Sequence, residues 1–224
     1  MKPARISFAS LALAAAVAFG GMTGADVTGT QLFAPAIAEA HGKGAAADLR
    51  VTLNQLLAEH ATLAAAATQA ALRGRKAEFT AAAEALDANS VDIANAIGSV
   101  YGKEAGEAFL PLWRKHIGMF VDYTTGKATG SKKKQDKAVA DLLQYAEDFA
   151  AFLNSATPSL PKDAVAELVK MHIVSLKEVV DAQAERNYKL AFEKLRAASH
   201  HMQMVADPLA DAISMQFPDK FAAK

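Results

Sequence analysis

Histidine and methionine crowd one stretch near the carboxyl end, "AASHHMQMVAD" at 197–207, in a chain that has no cysteine. His200, His201, Met202 and Met204 there offer imidazole nitrogens and thioether sulfurs within five positions. Neutral imidazole ligates zinc, copper, iron or nickel, and a thioether favours Cu(I). Three more histidines, His60, His116 and His172, recur at a constant interval of 56 residues. An interval held twice between like residues points to a repeated structural unit, which would place each of them equivalently.

Helices must position these residues. From 48 onward Ala, Leu, Glu and Lys dominate and apolar residues recur at three- and four-residue steps, the pattern of amphipathic helices. Breaks fall at 72–76, 100–106, 124–131, 156–163 and 184–187, where Gly, Pro, Ser and Asn interrupt the pattern. They predict six helices, near 48–72, 76–100, 104–125, 132–155, 161–185 and 187–216. Short connections make neighbours antiparallel. The fold class is therefore all-α, a six-helix up-down bundle of three helical hairpins repeating every 56 residues. The same shift aligns Leu53 with Phe109 and Val165, Leu57 with Trp113 and Val169, and Ile93 with Phe149 and Val205. Identities are few, but the apolar register is kept.

That register tells where the histidines point. His60 shares a stripe with Leu53, Leu56, Leu57 and Ala64, which is the face a helix buries. His116 and His172 follow by the repeat. His201 joins them by height: 13 residues separate His172 from Glu185 and 14 separate Asn187 from His201, so equal rise on two antiparallel helices brings the pair level. Stepping back from His201 by 56 and again by 56 reaches Tyr145 and Asn89. One polar layer, His60, Asn89, His116, Tyr145, His172 and His201, is expected across the bundle, with Met202 beside it and Met119 a turn away. Asp122, Glu59 and Glu147 lie within reach as supporting partners. His200 points about 100° away from His201 and is expected at the surface.

Buried polar groups must satisfy each other or bind something, because an unpaired one costs about 1–3 kcal/mol. Three outcomes stay open. The layer is a hydrogen-bonded structural device; or His60, His116, His172, His201 and Met202 hold a metal, copper before zinc; or it holds haem non-covalently, since no CxxCH attachment motif exists. HExxH, GxSxG, the P-loop and GxGxxG are all absent, so binding rather than turnover is expected. Ligation by histidine would weaken below about pH 6, where ordinary imidazole protonates.

The rest of the chain bounds the setting. It has 224 residues, 52% hydrophobic, with 24 basic and 24 acidic side chains. Balanced charge argues against nucleic acid, whose recognition needs a basic face. The Lys132–Lys134 cluster reads as a solvated loop and helix start. Lys2, Arg5 and the apolar "ISFASLALAAAVAFGG" that follows read as an export signal, short of the roughly 20 apolar residues a span needs. Residues 1–40 are thus expected to be signal peptide and lead-in, cleaved after Ala25 or after Ala40, which would expose His41. Residues 41–47 are expected as a flexible start and 48–224 as the bundle domain. The expected location is periplasmic or secreted, with no membrane span in the mature chain. Without disulfides, stability must come from packing or from a ligand.

"LNQLLAEH", "AFLPLWRKHIGMFVDYTTG" and "HMQMVADPLADAISMQFPDKF" together resemble a secreted bacterial helical domain that is loosely labelled copper amine oxidase-type. The resemblance spans about 48–221, and His60, His116, His172 and the His201–Met202 pair fall at its motif positions. It implies a link to copper and weight on the four histidines. It does not imply amine oxidation, because the tyrosine-cofactor context of that reaction is missing. The expectation is an exported metal-binding protein, copper first, for sequestration, delivery or sensing; no protein partner is indicated.

Overall fold

Alanine- and leucine-rich segments with few breakers form long helices, and the computed structural model, which describes residues 44–222, contains seven. They are α1 (Ala45–Leu72), α2 (Lys76–Tyr101), α3 (Lys103–Thr129), α4 (Lys132–Ala156), α5 (Lys162–Ala184), α6 (Tyr188–Gln216) and the single turn α7 (Pro218–Phe221). Local chemistry sets several ends. The Ser131 hydroxyl accepts from the Lys134 amide at 3.4 Å and the Asn187 side chain from the Leu190 amide at 3.2 Å, so both act as N-caps. Gly130, at φ 70°, closes α3 in the left-handed conformation that a side chain disfavours.

Two boundaries differ from the sequence expectation. Helix α1 begins at Ala45, its first turn closed by the Asp48 amide on the Gly44 carbonyl at 2.7 Å. Residues 45–47 are therefore helical, not a flexible start. Helix α3 runs past the predicted stop at 125 to Thr129. Gly126 is inside it because the chain crowds there: a Cβ would come within 2.9 Å of both the Gln135 amide and its Cγ. That glycine marks a close approach of α3 and α4, not a helix end. The short α7 has no counterpart in the predicted set. The export signal, both cleavage sites and His41 lie outside the described residues.

Packing follows the chain. Each long helix lies against the next, and α6 returns to pack on α1. The odd-numbered helices also touch one another, α1 with α3, α1 with α5 and α3 with α5, so they share the interior. Leu53, Ile93, Leu142, Ile173, Leu176 and Ile213 are among the most deeply buried side chains. Among the described residues no helix is long and apolar enough to cross a membrane.

Candidate metal centre

Helices α1, α3 and α5 each bring one histidine into this interior. His60 sits between Leu57 and Ala64 on the buried face of α1, His116 between Trp113 and Phe120 on α3, and His172 between Val169 and Leu176 on α5. The three rings are 1%, 3% and 6% exposed, which removes solvent as a partner. Their centroids stand 5.3 Å (His60 to His116), 5.8 Å (His60 to His172) and 6.4 Å (His116 to His172) apart.

One ligand nitrogen from each ring lies within 4.8 Å of the others. The Nε2 atoms of His60 and His116 face each other at 3.4 Å. Two imidazole nitrogens bound to a common zinc-sized ion at about 2.0–2.1 Å, in trigonal or tetrahedral geometry, stand roughly 3.3–3.6 Å apart. The spacing of that pair is already that of two ligands on one ion, while as a hydrogen bond it is long.

The rings are not otherwise provided for. Among the described residues, His60 Nδ1, both ring nitrogens of His172, the Tyr145 hydroxyl and the Trp113 indole nitrogen are buried with no hydrogen-bond partner. Burial, and then the proximity of His116 and His172, holds His60 well below the ordinary histidine range. Burial, then His172, lowers His116 to about 3, and burial, then His201, lowers His172 to about 4. All three rings are therefore held neutral well below the ordinary histidine range, each with one lone pair free to ligate.

The expected six-residue layer divides into an inner and an outer part. Tyr145 stays close to the triad, its ring 5.1 Å from that of His116, and burial pushes its phenol far up, so it remains neutral. Met202 is buried and, with His116, His172 and Tyr145, lines a small cavity of about 30 Å³ beside the triad. His201 is buried but turned elsewhere: its Nε2 donates to the Leu168 carbonyl at 2.8 Å, and it is not among the grouped ligand atoms. Asn89 likewise spends its amide on α1, donating to the Leu56 carbonyl at 3.0 Å and to Glu59 at 2.8 Å. Helices α2 and α6 sit beside α1 and α5 in the ring of packing, so their polar side chains meet a neighbour's backbone before they reach the centre. Met119 is half-buried against the apolar core, and Asp122 and His200 are exposed. Glu147 faces outward to Lys170 at 2.7 Å. None of these carboxylates belongs to the group.

Trp113 is a part of the centre that sequence reasoning treated only as core. Its ring lies 4.9 Å from His60 and 4.7 Å from His116, walling one side. A signal existed: it is the single tryptophan of the chain, three residues before His116 on the same helix face. The cavity of about 30 Å³ suits a water-sized guest and is far below the roughly 300 Å³ at which organic ligand pockets begin. Comparison of the chain with protein-family profiles, with curated proteins and with solved structures finds no match in any of the three.

Proposed function

We propose that this protein is an exported copper-binding protein whose His60, His116 and His172 hold the ion, serving sequestration, delivery or sensing rather than turnover. The observation that carries the reading is the meeting of three neutral, buried imidazoles from three helices, with ligand nitrogens within 4.8 Å, while other polar atoms of the same rings have no protein partner. Leaving buried polar atoms unpaired is unfavourable by about 1–3 kcal/mol each; a bound cation would engage one lone pair on each ring, including one of the two unpartnered nitrogens of His172. Export rests on the charged and apolar amino-terminal pattern at residues 2–21. The fold that serves the site is, in this reading, a six-helix up-down bundle of three hairpins related by the 56-residue interval. The interval explains why one histidine per unit reaches the centre.

The rival reading is a structural histidine layer, favoured by the 3.4 Å contact between His60 and His116. Metal analysis of the purified protein, with a thermal shift on adding copper or zinc, separates the two. Stoichiometric metal lost in His116→Ala supports the proposal. Protein that takes up no metal and shows no thermal shift with either ion overturns it.

A further inference from the structure

The charge of the ion follows from what surrounds the triad, and the inference rests on the triad binding a metal at all. Every donor in the group is a neutral imidazole, and no carboxylate or thiolate belongs to it. The small cavity beside the triad is lined by Trp113, Phe149, Val169 and Ile173 together with Met202 and Tyr145. Glu59 accepts from Asn89 and Glu147 pairs with Lys170, and neither carboxylate is in the group.

The penalty for moving an ion from water into an apolar interior grows with the square of its charge. A divalent ion here would keep its full double charge with no anion beside it. Zinc held by three histidines takes a water as its fourth ligand, and a water in this cavity would lie against Trp113, Phe149, Val169 and Ile173. Cu(II) prefers a tetragonal set of nitrogen and oxygen donors. Three imidazoles beside an apolar cavity with no anion in the group disfavour both divalent ions. Monovalent copper accepts three nitrogen donors, tolerates an apolar wall and is favoured by a thioether.

From this arrangement we infer that the site is selective for Cu(I): His60, His116 and His172 bind it, Met202 lines the cavity beside it, and divalent ions are rejected by charge. The test uses the intact protein and metal ions alone. Under anaerobic conditions Cu(I) is titrated in competition with a chromophoric Cu(I) chelator, and Zn(II) and Cu(II) are titrated against chelators of their own. Cu(I) is expected to bind tighter than Zn(II) by about 10³-fold or more. Equal affinity for Zn(II) or Cu(II) leaves metal binding standing and overturns the selectivity. No binding of any of the three ions overturns both. Met202→Leu, a swap of similar volume that cores tolerate, is expected to weaken Cu(I) by about tenfold while leaving the fold intact. An unchanged Cu(I) affinity in that variant removes the thioether from the site.

Discussion

Two groups of polar side chains, one buried to partly buried and one fully buried, lie between the same helices and are treated in opposite ways. Near the carboxyl end of α1, Thr68 donates to the Gln183 carbonyl oxygen at 2.8 Å, and the Gln183 amide donates back to the Ala65 carbonyl at 2.9 Å. One turn away Asp181 accepts from Tyr123 at 2.6 Å and pairs with Lys127 at 2.8 Å and Lys177 at 2.7 Å. Burial alone would raise the Asp181 carboxyl, but hydrogen bonds from Lys127, Lys177 and Tyr123 hold it below its ordinary value. Two turns nearer the amino end of α1, His60 meets His116 and His172 with several ring nitrogens unmatched. In the first group Thr68, Gln183 and Asp181 each meet complementary partners, in bonds that tie α1 to α5 and α3 to α5. The second is three acceptor-capable rings turned toward one another, an arrangement that self-pairing does not complete. A chain able to close one network and leaving the other open points to an outside partner for the second.

The contrast breaks or sharpens under mutation. The largest effect is expected from His116→Ala, which removes one of three ligands and should abolish stoichiometric metal, read by elemental analysis, while a cooperative melt persists. Retention of metal in that variant would falsify the triad as the site.

Next in size is the response to acid. Unfolded, these histidines protonate near the ordinary value of 6.5, whereas folded His172 and His116 stay neutral to about 4 and about 3. The unfolded state therefore binds more protons in that window. Metal-free protein should keep its stability above about pH 6.5 and lose it as pH falls toward 4, by roughly 1.4 kcal/mol per pH unit for each such histidine. A melting temperature unchanged from pH 7 to pH 5 would contradict their burial. Saturating copper, at about 100 times its Kd, should add about 2.7 kcal/mol at neutral pH, and the ion should still be held at pH 5.

Smaller effects belong to the closed network and the outer layer. Thr68→Val leaves the Gln183 carbonyl oxygen without its donor and should destabilise by about 1–2 kcal/mol, with metal stoichiometry unchanged. Loss of metal there would mean that the two groups act as one. His201→Phe should be milder, about 1 kcal/mol, because a single bond to the Leu168 carbonyl is lost. If that variant loses metal, the ligand set extends to a fourth helix and the inner–outer division fails.

Much of this architecture was legible in advance because helices follow local rules. The three- and four-residue apolar steps and the breaks where Gly, Pro, Ser and Asn interrupt them place the long helices within a few residues. The misplaced boundaries have tertiary causes. Gly126 reads as a stop, yet it continues α3 because α4 approaches too closely there for any side chain. Met202 beside the cavity and Tyr145 against His116 were within reach of the register argument, while Trp113 was masked by its equivalence to Leu57 and Val169.

The chain by itself determined that His60, His116 and His172 each lie on the apolar face of their own helix, since the 3.6-residue turn and the spacing of apolar residues around each histidine depend only on covalent order. Which of the six layer residues converge was decided by the packing. Helices α1, α3 and α5 touch one another, so their histidines meet. His201 and Asn89 sit level with them by counting along the helix, but each finds a neighbouring backbone carbonyl first. Height along a helix is a one-dimensional quantity that sequence spacing encodes; the direction in which a side chain finds its nearest partner depends on interhelical distances, which only the assembled fold supplies.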